Sequence, residues 1–220
     1  MTATRHVTVW GQLAVHAAGR CGAVSVADVC AVAAGTAQLS GAWVAAVSNG
    51  AANFVMGVTD PVCEHLAELQ LMLGQGPCHD VPESAAPVLA SDLGDEEFSR
   101  RWPAFSPAAH QLGVQAVFAF PLMVGAVCAG VMALYRRSPG PLPATALGDL
   151  PILADAATVL LLDGLCGDAG VAADGDGAQL DGQAPDLAMR HAELDQAAVY
   201  RFRTHRRVSD LGFVIGYAAW

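Results

Sequence analysis

Four segments decide the fold of this chain: LQLMLGQGPCHD (residues 69–80), PVLASDL (87–93), RRWPAFSPAAHQLGV (100–114) and AVFAFPLMVGAVCAGVMALY (116–135). The first ends a helix at a glycine loop, and the second is typical of a short strand. The third predicts a helix that opens at Ser106-Pro107 and closes at Gly113. The fourth predicts a hairpin about Gly125-Ala126, because glycine at the first central position suits a type II′ turn. The order is therefore helix, loop, strand, helix and hairpin.

The flanking residues supply the remaining elements. Apolar periodicity predicts a first helix over 7–16, and a capping box at Ser25–Asp28 predicts the start of a second helix, which ends at Gly41. Strands are predicted over 43–47 and 54–58. Asp60-Pro61 starts another helix, and a closing helix is predicted over 151–163. The charged run of Asp92, Asp95, Glu96 and Glu97 is interpreted as a solvated loop.

Composition limits the classes of function. The chain has 220 residues, a net charge of −10 and no lysine, which argues against non-specific binding of nucleic acid by the protein as a whole. No pair of its six cysteines has Cys-x-x-Cys spacing, so no zinc or redox motif is predicted. Free thiols and the absence of a signal-peptide pattern predict a cytoplasmic protein.

One segment imitates a membrane span. Residues 116–135 contain 20 residues without a charge, which a hydropathy window reads as a transmembrane helix. Pro121, Gly125 and Gly130 interrupt the segment, and its two halves match as strands about Gly125. We therefore expect a soluble protein with no membrane partner.

The order of elements over residues 8–163 resembles that of a bacterial GAF domain. The resemblance rests on three groups: 73–78 (LGQGPC), 101–105 (RWPAF) and 113–122 (GVQAVFAFPL). It implies an α+β, GAF-like (PAS-like) fold with a central antiparallel sheet under a shell of six helices or fewer. These groups are similar to a subgroup in which the GAF domain precedes an ANTAR domain, a small helical module that binds RNA hairpins and prevents transcription termination.

The C-terminal third has a different character. Residues 164–186 are rich in Gly, Asp and Ala and predict a flexible acidic linker. Residues 192–199 (AELDQAAV) resemble the opening of the first ANTAR helix, within a partial or degenerate ANTAR-like region over 187–220. Four arginines could contact RNA phosphates or belong to a solvated, irregular tail: Arg201, Arg203, Arg206 and Arg207.

Cys78 is the sharpest candidate for chemistry. Gly76-Pro77 places it in the first turn of a helix, where the macrodipole lowers the pKa of a thiol. It is either a redox-sensing thiol or a small residue packed against the sheet. Free methionine-(R)-sulfoxide reductases are GAF proteins with a similar cysteine, but Cys63 and the pair Arg136-Arg137 do not match their further catalytic residues. The sequence therefore favours a sensor over an enzyme.

The resemblance also implies a ligand cavity between the sheet and the helices over one face. The residues that could line it are Trp43, Phe54, Gln75, Cys78, Trp102, Phe105, His110, Phe118 and Met132. Such a pocket would suit a small organic molecule or a haem-like ring, and the same residues would equally form an ordinary core. The sequence requires no cofactor. The terminal helices are predicted to pair two copies into a homodimer.

Overall fold

The computed structural model describes residues 2–36, 39–48 and 50–171. Seven helices lie in these ranges: α1 (Thr2–Gly19), α2 (Val26–Gly35), α3 (Pro61–Leu73), α4 (Pro77–Ser84), α5 (Glu96–Arg101), α6 (Phe105–Gln111) and α7 (Ala144–Val171). Five strands accompany them: β1 (Gly41–Ser48), β2 (Ala51–Val58), β3 (Val88–Ala90), β4 (Ala116–Val124) and β5 (Val127–Arg136). The predicted α+β class with a central antiparallel sheet is confirmed.

The sheet has the strand order β2-β1-β5-β4-β3, and every neighbouring pair is antiparallel. Side chains alternate between its two faces. The front face carries Trp43, which pairs with Ala133, and Ala133 pairs in turn with Ala119. These residues form one buried cluster with apolar side chains of α3, α4, α5 and α6. The front face is therefore the side that these four helices cover.

The opposite, back face is covered by α2 and α7. Gly130 lies on this face, opposite Ala46 on β1 and Leu122 on β4. A Cβ atom at Gly130 would lie 2.9 Å from Leu161 Cδ2 of α7. The close approach of α7 to the sheet explains why this position is a glycine.

Asp60 starts α3 as the sequence predicts. Its Oδ1 accepts hydrogen bonds from the backbone N–H of Val62 (2.7 Å) and of Cys63 (3.1 Å), while Pro61 occupies the first turn. Tyr135 on β5 donates its hydroxyl to Oδ2 of the same carboxylate at 3.3 Å. The cap thus joins the helix start to the end of the hairpin.

Asp28 holds α1 against α2. Its carboxylate is fully buried and accepts hydrogen bonds at 2.8 Å from Arg20 Nε, from the backbone N–H of Ser25 and, in the matching tautomer, from His16 Nδ1. Burial acts to raise the pKa of this carboxyl, but the bonds from Arg20, His16 and Ser25 outweigh it and hold the pKa well below its ordinary value. Two of these side chains come from the end of α1 or just beyond it, so a buried charge fixes the junction.

The segment that imitates a membrane span is the β4–β5 hairpin, and Gly125 has the positive φ of 61° that its turn needs. A different segment, Ala144–Gly164 of α7, is long and apolar enough to cross a membrane by length and composition, with a mean hydropathy of 1.6. Half of that window is buried. Packing against the back face therefore accounts for its apolar composition.

Several predicted boundaries are wrong. The structure has seven helices in its described part, where six or fewer were expected, because Glu96 and Glu97 open α5 and are not part of a solvated loop. The second helix ends at Gly35, and Gly41 begins β1. The closing helix begins at Ala144 and contains Pro151, and it reaches Val171 inside the expected linker. Apolar periodicity alone does not mark these ends, since a helix continues wherever packing supports it.

We predict that Asp28→Asn lowers the free energy of unfolding by about 2 kcal/mol at pH 7, since hydrogen bonds to a charged group are worth about 1.5–3 kcal/mol. The control Asp149→Asn removes a partly exposed pair with Arg5 (3.3 Å) and should cost less than about 1 kcal/mol. Urea titrations of each variant measure both changes.

The pH dependence has a definite sign. Because folding lowers the pKa of Asp28, its contribution is present above the unfolded pKa of about 4 and is lost as the pH falls below it. The difference between wild type and Asp28→Asn should therefore shrink in acid. The account would be contradicted if Asp28→Asn and Asp149→Asn lowered the free energy of unfolding equally. It would also be contradicted if the difference between wild type and Asp28→Asn stayed the same at low pH.

Candidate functional site

The candidate site is the space between the front face and α4. This short helix contacts β2, β3, β4 and β5. The loop before it turns at Gly74 (φ 59°) and Gly76 (φ 122°), both in the left-handed region that favours glycine. A Cβ atom at Gly76 would also lie 2.6 Å from the side chain of Gln70. The glycine loop therefore lets α4 fold back onto the sheet close to α3.

Gln70 connects α3 to the start of α4. Its side chain is buried, its Oε1 accepts from the backbone N–H of Cys78 at 2.8 Å, and its Nε2 donates to the backbone oxygen of Leu66 at 3.2 Å. The amide satisfies one of the free N–H groups at the helix start. Gln70 is thus a buried anchor for α4.

Asp80 connects α4 to α5 and to the loop that follows it. Its Oδ2 accepts from Trp102 Nε1 at 2.9 Å and from Arg101 Nε at 2.6 Å. The Trp102 ring stacks on Phe98 at a centroid distance of 5.3 Å and meets the edge of Phe105 at 6.1 Å. One carboxylate therefore links the helix over the sheet to an aromatic cluster (Phe98, Trp102 and Phe105).

A small cavity lies beside these anchors. It measures about 30 Å³ and is lined by Ala51, Ala52, Gln70, Leu71, Cys78 and His79. This volume holds roughly one water molecule. The large front-face side chains pack against one another, so the arrangement is a filled core with a water-sized opening.

Trp43 carries an unpaired donor in this core. Its Nε1 is buried and makes no hydrogen bond with the described residues. The neighbouring Cys78 thiol falls short of hydrogen-bond geometry, although the indole N–H still acts to lower the pKa of that thiol. A buried donor without a partner costs about 1–3 kcal/mol, so the position favours any group that accepts its proton.

Of the two interpretations of Cys78, its burial in the front-face cluster favours the small residue packed against the sheet. Cys78 does lie in the first turn of α4, but burial raises the pKa of the thiol to about 12, against the smaller opposing effects of Gln70 and Trp43. Burial likewise raises the pKa of Cys63 to about 11. Such thiols are poor nucleophiles, and Cys21, Cys30, Cys63, Cys78 and Cys128 are free thiols. Burial and the raised pKa are both unfavourable for a thiol-reductase nucleophile at Cys78.

Comparison with known proteins decides the family. The model of the GAF domain family matches residues 20–161. The chain belongs to the GAF domain family. Members of this family are mostly ligand-sensing, regulatory domains of signalling proteins. The predicted family is confirmed, whereas the ANTAR subgroup is not part of this match.

Solved GAF domains have the same fold. The GAF domain of a phosphoenolpyruvate-protein phosphotransferase from Acinetobacter is 12% identical, with a TM-score of 0.54 over 77% of this chain and 98% of that one. Its counterpart from Coxiella burnetii is 11% identical, with a TM-score of 0.53 over 76% of this chain and 98% of that one. No curated protein sequence matches the chain. At these identities the likeness concerns the fold alone.

The GAF structure separates the residues predicted to line one pocket. Trp43, Cys78, Trp102 and Phe105 do share the front-face cluster. Phe118 and Met132 lie on the back face, because they pair with Leu134 and Val44 and alternate with front-face residues. Phe54 pairs with Ala46, also on the back face. A strand sends successive side chains to opposite faces, so these three cannot join the others.

The two polar residues of the predicted pocket lining, Gln75 and His110, also lie elsewhere. Gln75 Oε1 accepts from the backbone N–H of Ala104 (2.9 Å) and of Phe105 (3.4 Å), and so caps α6. This cap replaces the predicted Ser106-Pro107 start, and the Ser106 hydroxyl donates to the backbone oxygen of Phe98 at 3.2 Å. His110 lies near Gly94 and does not line the cavity. Arg201, Arg203, Arg206 and Arg207 lie outside the described residues.

Sequence reasoning missed Gln70, Asp80 and Arg101. Gln70 sits four residues after buried Leu66, on the buried side of α3, whereas the apolar residue Leu73 is exposed. Asp80 carries a weak signal, as an acid in the first turn of a helix. Its partners on Arg101 and Trp102 are more than 20 residues away, and no local pattern pairs them.

We predict that Cys78 resists alkylation. With a pKa of about 12, on the order of one thiol in ten thousand is ionised at pH 8, and the side chain is buried. Iodoacetamide followed by peptide mass mapping should modify exposed Cys21 at least about a hundredfold faster than Cys78. In guanidinium chloride the two rates should become similar. Comparable rates in the folded protein would contradict the structure.

Proposed function

We propose that this GAF domain senses a small ligand that binds under α4, at the front face of the sheet. The observation that carries the proposal is the buried, unpaired N–H of Trp43. It lies near the thiol of Cys78, which lines the water-sized cavity at the start of a helix held by specific polar anchors. A ligand that accepts a hydrogen bond from this N–H would remove the free-energy cost of leaving the buried donor unpaired. We expect the ligand to enlarge the cavity by shifting α4 outward.

The anchors of α4 support a route for the signal. Any outward shift of α4 stretches the bond between Gln70 and the Cys78 backbone and the bonds of Asp80 to Trp102 and Arg101. Trp102 stacks in the aromatic cluster with Phe98 and Phe105. Ligand binding would therefore rearrange α5 and α6 through defined contacts, as a population shift between two packed states requires.

The lining indicates the class of ligand. The lining is mostly apolar, from Ala51, Ala52 and Leu71, and its polar side chains are those of Gln70 and His79. The Trp43 N–H requires an acceptor such as a carbonyl or ether oxygen. We propose a small organic molecule with an apolar body and one acceptor group, with no bound cofactor needed for recognition.

A variant pair tests the proposed function. A library of small organic compounds is screened for those that raise the melting temperature, since binding to the folded state stabilises it. For the hits, we predict that Trp43→Phe, which keeps a ring but removes the N–H, raises Kd about tenfold or more. Trp10→Phe makes the same change on the exposed surface of α1 and should leave Kd within about twofold.

Calorimetry on the folded variants separates binding from stability. A ligand that binds wild type and Trp43→Phe equally would place the binding site elsewhere and contradict the proposal. A ligand whose affinity falls in both variants would point to a general loss of stability and would contradict it as well.

We further propose a cytoplasmic homodimer that acts in transcription antitermination. The support is the resemblance of residues 192–199 to an ANTAR helix, the four arginines at 201, 203, 206 and 207, and two exposed apolar residues on α1, Val7 and Val15. Sedimentation of the full chain, alone and with an RNA hairpin over a series of salt concentrations, tests both parts. A monomer, or an RNA affinity unchanged when the four arginines become alanine, would contradict the respective part.

A further inference from the structure

A second groove lies at the other end of the sheet from β2. Strand β3 is the last in the order, so no other strand among the described residues pairs with its outer edge. The groove between this edge and α5 measures about 510 Å³. Its apolar lining includes Val88, Leu89 and Phe98, and Leu89 is 40% exposed. An open edge beside an apolar groove is a template for pairing with an extended chain.

Two carboxylates without partners line the same groove. Glu96 is paired with Arg100 at 2.9 Å, and Arg101 is paired with Asp80 at 2.6 Å. Asp95 and Glu97 line the groove and have no cation within 4 Å among the described residues. Arg101 also lines the groove, but its charge is offset by Asp80, so the groove keeps two carboxylates that no described cation pairs.

The side chain of Asp95 does not make the capping hydrogen bond that is usual at its position. Asp95 is the N-cap residue of α5, and an aspartate there usually accepts from a backbone N–H in the first turn. Here its side chain makes no capping hydrogen bond and lines the groove. The carboxylate is thus available to a cation that enters from outside.

We propose that the groove binds an extended segment of a partner protein, which adds to the edge of β3 and carries Arg or Lys at alternate positions. The backbone of the segment pairs with β3, and alternate side chains point to the front of the sheet, where α5 lies. Basic side chains at those positions meet Asp95 and Glu97. The net charge of −10 on the chain also steers a basic partner toward it.

The test selects peptides against the full chain. Random seven-residue peptides displayed on phage are enriched on the wild-type protein and on two double variants. Asp95→Asn/Glu97→Gln removes the two unpaired carboxylate charges, and Glu64→Gln/Glu68→Gln removes two exposed charges from α3, away from the groove. All four side chains are exposed, so both double variants are expected to fold.

We expect enriched peptides with Arg or Lys at alternate positions and without proline. Their Kd should rise at least tenfold on the groove variant, stay within twofold on the control, and increase with salt. Amide NMR shifts on binding should map to residues 88–91. Peptides without proline, binding that weakens with salt, and NMR shifts at the β3 edge would together identify strand addition by a basic segment.

Other results would overturn the proposal. Enrichment of sequences without basic residues, no enrichment at all, or equal loss on both double variants would each do so. If spermine displaces the peptide and binds as tightly as the peptide does, the groove binds a small polycation and not a strand. If no peptide is enriched but the groove variant sediments differently from wild type, the groove instead binds a second copy of the chain.

Discussion

The contact on which the front face depends is the carboxylate of Asp80. Trp102 is almost completely buried, and its indole N–H would have no partner without Asp80 Oδ2 at 2.9 Å. Losing such a bond costs about 1–3 kcal/mol. The Arg101 pair adds less, because that side chain is 45% exposed and solvent screens the charge. The hydrogen bond to Trp102 is therefore the contact that positions α4 over the sheet and α5 beside it.

The elements that could be predicted are those set by neighbouring residues. Asp60-Pro61 starts α3, Gly125 turns the β4–β5 hairpin, and the glycine loop at Gly74–Gly76 ends one helix before the next. Each of these follows from backbone geometry within a few positions. The fold class and the family could be predicted for the same reason, since they depend on the order of such elements.

The site was predicted only in part, because it depends on contacts between distant segments. Asp80 and Trp102 are separated by 22 positions, and no local pattern pairs them. The face of each strand residue was also open in the sequence. Phe118 and Met132 share a face only because a bulge between Leu122 and Met123 shifts the pairing of β4 with β5 by one residue. Only the register of β1 with β5 shows that Trp43 belongs to the opposite face. Cys78 illustrates an effect that a local pattern does not show: burial raises the pKa of the thiol to about 12, although it lies in the first turn of a helix and Gln70 and Trp43 act to lower the pKa.

The central claim is that α4 is docked on the sheet through Asp80 and Trp102. Hydrogen exchange of the α4 amides in wild type and Trp102→Phe tests it most directly, because the variant keeps a stacking ring and removes the donor. The account predicts at least about tenfold faster exchange over residues 79–84, with little change in β4 and β5, as expected for local opening. Unchanged exchange in α4, or equal acceleration throughout the domain, would contradict it.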